Sequence, residues 1–249
     1  MEKFRFQNDV GSFILNRGDL ISETLVQTND WEPHFKAIIN LFVGSNDICV
    51  DIGACFGYHT VQMAKLAKRV YAYEPNTQEF CHLCHSLYEN NITNVYPYRK
   101  ALGENNYIAN LEQVNPANIG NTSIGEGGEF CEVIKFPHDD ATFIKMDAQG
   151  FEEKILDGAE EILREHRPII FFEVEEKHLI KFGSSSKKLL MKSMGYGYDI
   201  YRINSPYPSD HVAVPKGTKV DFPVHVKKIP NSFSLTFGKY GDLLYEDAI

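Results

Sequence analysis

The sequence predicts an α/β fold in which a mostly parallel sheet is covered by helices on both faces. Strand-like apolar segments alternate four or five times with segments of helical periodicity. Acidic residues lie at the ends of four of these strands, and a glycine turn follows the first. Because open parallel sheets bind ligands at the carboxyl ends of their strands, the same features also predict where the functional site lies.

The first strand and its turn lie within Ile48–Thr60. The strand is nearly all apolar, as expected of a strand buried on both faces, and Asp51 stands near its end. Gly53 and Gly57 bracket the turn, where the missing Cβ permits positive φ and close approach of a ligand to the backbone. Apolar residues then recur at three-residue steps, which predicts a helix. We therefore expect a strand–turn–helix unit that binds a ligand.

The spacing of the glycines discriminates between nucleotide-type ligands. Dinucleotide sites need G-x-G-x-x-G, and P-loops need G-x-x-x-x-G-K-[ST]. This chain has D-x-G-x-x-x-G with no lysine after it, so neither phosphate cradle is complete. An acidic strand end beside one open glycine turn favours a ligand with positive charge, such as S-adenosylmethionine with its ammonium and sulfonium groups. On this stretch alone, an ordinary βα turn without a ligand is the alternative.

The second strand, residues 69–75, ends in an acid about 20 residues after Asp51. This residue, Glu74, is placed to accept hydrogen bonds from two ribose hydroxyls. Asn76 then starts a helix that runs to about Asn90, with Glu79 in the position of a capping box.

The third strand is predicted at residues 95–102, and Pro97 favours an edge position for it. A polar region at about 104–136 follows, with two short strands at 107–114 and 130–136. We interpret this region as a flap over the site, because long polar segments between core elements are usually functional or mobile.

The fourth and fifth strands, residues 142–147 and 168–174, also carry acids near their ends, Asp147 and Glu173. The carboxyl ends of parallel strands share one rim, so we expect these acids to converge. The convergent set is Asp51, Glu74, Asp147 and Glu173.

The remaining elements complete the sheet and its cover. A helix with one apolar face follows Phe151, and another spans 184–194 and stops at Gly195. Two last strands are predicted at 197–203 and 211–214. We divide the chain into three parts, which are an N-terminal helical leader (1–45), the α/β domain (46–215) and a C-terminal extension (216–249) that the pattern does not place. In the leader, Asp30 is expected to cap a helix.

Composition excludes several classes of protein. With 249 residues and 43% hydrophobic content, the chain can build one sizeable core. The net charge of −9 argues against wholesale binding of nucleic acid or anionic membranes, although a local basic patch stays open. No apolar run approaches about 20 residues, and the first residues lack a signal sequence, so we expect a cytoplasmic protein without a membrane span. The oligomeric state is unknown.

Five cysteines at irregular spacing fit reduced thiols better than a disulfide framework. Cys81, Cys84 and His85 resemble half of a zinc site, but no second pair follows at a suitable distance. We interpret them as residues of one helix face that packs against the sheet.

Taken together, the motifs resemble those of the FkbM-type S-adenosylmethionine-dependent methyltransferases from about Trp31 to Pro215. The ordered motifs that carry the resemblance are Val50-Asp-Ile-Gly-Ala-Cys-Phe-Gly-Tyr58, Tyr73-Glu-Pro-Asn76, Ala101-Leu-Gly103, Ile144-Lys-Met-Asp-Ala-Gln-Gly-Phe-Glu152, Leu156-Asp-Gly-Ala159, Arg167-Pro168, Glu173-Val-Glu175 and Gly195-Tyr196. The glycine motif alone is shared by most methyltransferases, whereas the ordered series is specific.

The resemblance implies a Rossmann-like class I methyltransferase fold, whose seven-stranded sheet has an antiparallel last strand. It also implies S-adenosylmethionine as cofactor and methyl transfer to a hydroxyl of a sugar, glycan or related small molecule. The residues assigned to the cofactor are Asp51, Gly53, Gly57, Tyr58, Glu74, Asn76, Ala101 and Asp147. Two departures stand out, since the family usually has Asn at Cys55 and Glu at Gln149.

An acceptor hydroxyl must lose its proton, and Asp147 and Glu173 are the candidate bases. One of them could instead hold the methionine ammonium, and the sequence does not assign the two roles. His59 and His138 are further candidates. A divalent cation chelated by Asp147 and a second carboxylate stays open but is not favoured. Two alternatives to an active enzyme remain, namely a binding protein on a methyltransferase scaffold and, more weakly, an NAD-type oxidoreductase.

Overall fold

The computed structural model describes residues 2–113, 118, 120, 122–205, 209–237 and 243–247. The strands are β1 (Lys3–Gln7), β2 (Ser12–Asn16), β3 (Ile48–Ile52), β4 (Arg69–Tyr73), β5 (Val95–Tyr98), β6 (Lys100–Gly103), β7 (Tyr107–Gln113), β8 (Thr122–Gly125), β9 (Glu129–Lys135), β10 (Phe143–Met146), β11 (Ile169–Glu173), β12 (Tyr198–Ile203), β13 (Asp210–Pro215), β14 (Val226–Lys228), β15 (Phe233–Phe237) and β16 (Leu243–Asp247). The helices are α1 (Leu20–Thr28), α2 (Pro33–Phe42), α3 (Tyr58–Ala64), α4 (Thr77–Glu89), α5 (Glu152–Gly158), α6 (Glu160–Glu165), α7 (Glu176–Leu179) and α8 (Ser186–Gly195), with a 3-10 turn at Ile180–Phe182.

The main sheet has the strand order β14-β12-β13-β11-β10-β3-β4-β5. Strands β5, β4, β3, β10 and β11 are mutually parallel, while β13 is antiparallel to both β11 and β12. The predicted α/β class and the antiparallel last strand are confirmed. An eighth strand, β14, is added at the edge beside β12, and it brings part of the predicted C-terminal extension into the sheet.

Successive residues of a strand point to opposite faces of the sheet. Both faces of this sheet are apolar, and helices cover both. On one face, Phe143 packs with Phe35 and Ile38 of α2. On the other face, Ile144 belongs to a large cluster of buried apolar side chains that includes Ile155 of α5. Each strand is therefore apolar on both sides, which is why the sequence shows continuous apolar runs rather than alternation.

A second sheet, of order β6-β9-β7-β8, lies next to the main one and contains the predicted flap region. The single third strand predicted at 95–102 is wrong, because the chain leaves the main sheet after β5 and enters the second sheet at β6. Pro97 does lie on an edge strand, as predicted. The two short strands of the flap are present as β7 and β9. Residues 114–117, 119 and 121 lie outside the described residues, so the lid role stays a prediction.

The N-terminal segment begins with a β-hairpin, formed by β1 and β2, before its two helices. The expectation of an all-helical leader is therefore wrong for residues 3–16, where alternating exposure along β1 marks a strand with one solvated face. Asp30 does not cap α2, because the N-cap residue is Glu32. Asp30 instead accepts hydrogen bonds from the Tyr58 hydroxyl and the Trp31 amide, both at 2.8 Å.

Within the described ranges, no helix combines the length and the apolar character needed to cross a membrane. The boundaries proposed for the three parts of the chain stay predictions.

A substitution at Gly158 can test how tightly α5 packs on β6. A Cβ at Gly158 would lie 2.0 Å from the backbone oxygen of Gly103. Helix propensity favours alanine over glycine by about 1 kcal/mol, so Gly158→Ala would stabilise an isolated helix. We expect the opposite in the protein, a loss of about 1–3 kcal/mol in the free energy of unfolding, because backbone must move.

The matched control is Gly195→Ala at the end of α8, where no atom lies within 4 Å of the added Cβ. Chemical denaturation of both variants should give a stable Gly195→Ala and a destabilised Gly158→Ala. Equal stabilities would contradict the close packing of α5 on β6.

Candidate active site

A cavity opens at the carboxyl ends of the central parallel strands, where the sequence places the site. Its lining includes Gly53 after β3, Glu74 after β4, Asp147 after β10 and Glu173 at the end of β11. The second sheet and the segment before α2 close the other sides. They contribute Ala101, Thr122, Ser123, Trp31 and Glu32.

The turn after β3 is built from residues with positive φ. Gly53 has a φ of 76°, and a Cβ there would lie 1.8 Å from the backbone oxygen of Asp147. Cys55 has a φ of 50°, in the left-handed region that favours glycine and asparagine. Gly57 has a φ of 90° and caps α3, and a Cβ there would lie 2.7 Å from Leu83 Cδ1. Gly53 thus borders the cavity, whereas Gly57 packs against α4.

Asp51 is fully buried behind this turn. Its Oδ2 accepts a hydrogen bond of 2.6 Å from the Thr60 hydroxyl, and its Oδ1 lies 3.3 Å from Lys145 Nζ. Lys145 Nζ also donates to the backbone oxygen of Gly53 at 2.7 Å. Asp51 therefore fixes the turn from inside, through Thr60 and Lys145.

Lys145 is 4% exposed and carries its charge in the core. Burial alone would lower the pKa of its ammonium group, but the carboxylates of Asp51, Asp147 and Glu32 raise that pKa above its ordinary value. The sequence analysis missed this residue. Its signal was a lysine inside an otherwise apolar strand, which requires a buried acidic partner.

Glu74 is nine-tenths buried and faces the cavity. Its Oε2 accepts a hydrogen bond from the Cys55 amide and its Oε1 accepts one from the Asn76 amide, both at 2.9 Å. Burial raises the pKa of Glu74 to about 7, although the two amides oppose this shift. The carboxylate is held rigidly, and each oxygen keeps a free lone pair.

The remaining residues assigned to a cofactor have different surroundings. The Tyr58 side chain lines the cavity, and its hydroxyl accepts a hydrogen bond of 2.9 Å from Asn8 Nδ2. Ala101 borders the cavity from β6. Asn76 caps α4 by accepting a hydrogen bond of 3.0 Å from the Glu79 amide.

The two candidate bases share the cavity wall. Met146 of β10 pairs with Phe172 of β11, so Asp147 and Glu173 occupy equivalent positions one residue further along. Burial raises the pKa of Glu173 well above its usual range, and the negative charge of Asp147 raises it further. Of the four acids expected to converge on this rim, Glu74, Asp147 and Glu173 line the cavity, whereas Asp51 lies behind the turn.

Gln149 stands beside Asp147 in the same cavity wall. Its Nε2 donates a hydrogen bond of 2.9 Å to Asp147 Oδ1. Gln149 has a φ of 53°, so this turn also holds a side-chain-bearing residue in the left-handed region.

The wall opposite the strands contains an acidic residue that the sequence analysis did not assign. Glu32 lines the cavity, and its Oε2 lies 2.9 Å from His59 Nε2. Burial alone would raise the pKa of Glu32, but the hydrogen bond with His59 lowers it. His34 Nε2 lies 2.6 Å from Asp210 Oδ2, and burial raises the pKa of Asp210 to about 7. The sequence pattern gave little indication of these two pairs, because the members of each pair come from segments far apart in the chain.

His138 lies away from the cavity, in an aromatic cluster. Its Nε2 is 2.7 Å from the Tyr73 hydroxyl, and its ring stacks on Tyr71 at 3.8 Å. Burial lowers the pKa of His138 to about 4. The predicted contact of Cys81 and His85 with the sheet is wrong, because both side chains are exposed on α4. Among the described residues, neither belongs to a group that could hold a metal ion.

Comparison with known families gives one match. The model of the family described as Methyltransferase FkbM domain matches residues 51–200. No curated protein sequence matches the chain.

Solved structures share the fold. The structure of M. jannaschii TYW2 in complex with AdoMet is 22% identical, with a TM-score of 0.50, over 85% of this chain and 84% of that chain. The Methyltransferase FkbM from Methylobacillus flagellatus KT is 22% identical, with a TM-score of 0.49, over 68% of this chain and 43% of that chain. The present chain therefore matches less than half the length of the Methylobacillus protein.

The buried ion pair between Lys145 and Asp51 generates a stability prediction. Lys145→Met keeps the length of the side chain but leaves the Asp51 carboxylate buried without its cation. We expect a loss of about 3–5 kcal/mol in the free energy of unfolding, measured by denaturant titration.

The double variant Lys145→Met/Asp51→Asn removes both charges and should recover part of this loss. Two results would contradict the coupling of the two residues. One is a double variant whose loss in free energy of unfolding equals the sum of the two single losses, and the other is a Lys145→Met variant as stable as the parent.

Proposed function

Because this chain belongs to the FkbM methyltransferase family, we propose that it transfers a methyl group from S-adenosylmethionine to a hydroxyl of a sugar, a glycan or a related small molecule. The observation that carries the proposal is the sharing of one cavity by the buried Glu74 carboxylate and the paired carboxylates of Asp147 and Glu173. The first suits a ribose, and the pair suits an ammonium group and an acceptor hydroxyl.

The residues present fit S-adenosylmethionine. Glu74 is fixed by two backbone amides and retains an open lone pair on each oxygen, which suits two neighbouring ribose hydroxyls. The backbone of Gly53 borders the cavity, and a Cβ there would collide with the backbone oxygen of Asp147 at 1.8 Å. Asp147 and Glu173 place carboxyl oxygens in the wall that the ammonium and sulfonium groups of such a ligand would face. The turn lacks a phosphate cradle, which disfavours NAD.

S-adenosylmethionine supplies an electrophilic methyl carbon on its sulfonium sulfur. The task of the protein is to hold an acceptor oxygen in line with that carbon, and orientation of this kind can lower a barrier by about 7–11 kcal/mol. Asp147 or Glu173 accepts the proton that the hydroxyl loses, a contribution of typically 10²–10⁴-fold. The other carboxylate then faces the ammonium group.

The charge of the cavity supports a hydroxyl acceptor without phosphate groups. Glu32, Asp147 and Glu173 line its walls, and the Lys145 ammonium is already paired with Asp51. An anionic acceptor would meet repulsion from these carboxylates, whereas sugar hydroxyls can donate hydrogen bonds to them. The net charge of −9 points the same way, away from nucleic acid as a partner.

The cofactor role of Glu74 is tested by Glu74→Ala. Each hydrogen bond from a hydroxyl to a buried carboxylate contributes about 1.5–3 kcal/mol, so S-adenosylmethionine should bind at least tenfold more weakly by calorimetry. Glu161→Ala, which removes an exposed carboxylate of α6 away from the cavity, is the control. Its affinity for S-adenosylmethionine should stay within about twofold of the parent. Unchanged affinity in folded Glu74→Ala would refute the assignment.

The base is tested by Asp147→Asn and Glu173→Gln with an acceptor found in a panel of sugars and glycans. We expect each variant to lower kcat at least a hundredfold. At least one should keep its affinity for S-adenosylmethionine, which identifies the base, while the other weakens binding as the ammonium ligand. Glu161→Gln on the exposed side of α6 is the control and should keep full turnover.

Near-parental kcat in both variants would move proton removal to His59 or solvent. Binding of S-adenosylmethionine without formation of S-adenosylhomocysteine on any acceptor would favour the alternative of a binding protein on this scaffold.

A further inference from the structure

Three potential metal ligands meet immediately after β11. One carboxylate oxygen each from Glu173 and Glu175 and a ring nitrogen of His178 all lie within 4.8 Å of one another. They come from a single short stretch, in which Glu175 caps α7 and His178 lies one turn later. Glu173 also lines the cavity of the candidate active site.

Two of the three donor groups hold a buried atom without a hydrogen bond, whereas Glu173 Oε1 accepts one of 3.5 Å from the Ser209 hydroxyl. His178 is 7% exposed, and neither its Nδ1 nor Glu175 Oε2 makes a hydrogen bond, although they are 3.2 Å apart. Buried polar atoms without partners are costly and need an explanation. Lys177 Nζ approaches Glu175 Oε2 at 2.8 Å, but its side chain is 70% exposed and is held only at the surface. The two buried atoms therefore face each other, and the cation that pairs with Glu175 reaches it from the surface.

The groups around Glu173 carry negative charge. The groups that act most strongly on it are Asp147, Glu175, Asp210 and Glu152, all of them carboxylates. The nearest buried ammonium group, on Lys145, is paired with Asp51. A local excess of negative charge inside a protein is costly unless a cation compensates it.

We propose that Glu173, Glu175 and His178 form a binding site for one divalent transition-metal cation at the wall of the cavity. Two carboxylates with one imidazole are a donor set that such cations accept, whereas magnesium favours oxygen ligands alone. Ligands about 2.1 Å from one ion are at most about 4.2 Å apart, and the three donor atoms already lie within 4.8 Å of one another. When Glu173 binds the ion, Asp147 is the carboxylate that remains to receive a proton from an acceptor.

A second group, Glu32, His34 and Asp210, also has suitable spacing. Its donors are already engaged, because His34 pairs with Asp210 at 2.6 Å and Glu32 pairs with His59 at 2.9 Å. This difference makes the second group an internal control. It also contains one histidine, so a spectroscopic signal from imidazole must be assigned by mutation.

The test uses the full chain, treated with a chelator and titrated with Mn²⁺ alone. Mn²⁺ is chosen over Zn²⁺ because the thiols of Cys81 and Cys84 would compete for zinc. We expect one Mn²⁺ per chain and electron spin echo modulation from a coordinated ¹⁴N. His178→Gln should remove the modulation, and His34→Gln should keep it. Glu175→Gln should weaken binding at least tenfold, while Lys177→Gln should bind as tightly as the parent or more tightly.

The proposal is overturned if the ¹⁴N modulation persists in His178→Gln, if His34→Gln removes it instead, or if the parent binds no Mn²⁺ at millimolar concentration. Thermal unfolding and calorimetry with S-adenosylmethionine verify that each variant is folded. Because the readout needs no acceptor and no turnover, failure of this site is distinguishable from failure of the proposed methyl transfer.

Discussion

The structure of the site depends on one buried ion pair, between Lys145 and Asp51. The two residues face each other in register on β10 and β3, and Lys145 also holds the backbone oxygen of Gly53. The pair therefore ties the central strands to the turn that borders the cavity. A buried pair of this kind contributes little net stability compared with apolar packing, but it strongly penalises any arrangement that separates its members. Its effect is to fix one geometry of the turn, and the geometry of the turn fixes where Glu74 and Asp147 lie.

Backbone strain is concentrated around the same cavity. Three residues with side chains and positive φ, namely Glu32, Cys55 and Gln149, line it. Such conformations cost on the order of 1–3 kcal/mol each and persist only where surrounding contacts over-determine them. Here the contacts are visible, since Cys55 donates to Glu74, Gln149 donates to Asp147 and Glu32 pairs with His59. Cys55 and Gln149 thus present a donor to a carboxylate that lines the cavity, whereas Glu32 is itself the carboxylate and is held by His59.

The sequence was sufficient for the parts of the fold that follow from local periodicity, and insufficient for those that depend on distant partners. The central strands and the acids at their ends could be predicted because parallel strands share one rim. The edge position of Pro97 could be predicted because proline has no N–H to donate to a neighbouring strand. The division of residues 95–102 between two sheets could not, because it depends on the pairing of β6 with the distant strand β9. The hairpin at residues 3–16 is short and amphipathic, so its pattern is weak. Lys145 and Glu32 were missed because their roles come from partners 94 and 27 residues away, Asp51 and His59.

The two departures from the family pattern have different consequences once the backbone is considered. At position 55 the contribution to the site is the amide, which donates to Glu74, and the side chain is directed to Glu79 at 3.6 Å. Replacing the usual Asn by Cys therefore changes the strain of a left-handed residue but not the group presented to Glu74. At position 149 the replacement of Glu by Gln removes one negative charge beside Asp147 and supplies a donor to its Oδ1. With a carboxylate at 149, Asp147 and Glu173 would share the cavity wall with a further negative charge, and Asp147 would lose this donor. The chain thus retains the carboxylates that the proposed chemistry needs, and the substitution at 149 exchanges a negative charge for a hydrogen bond beside one of them.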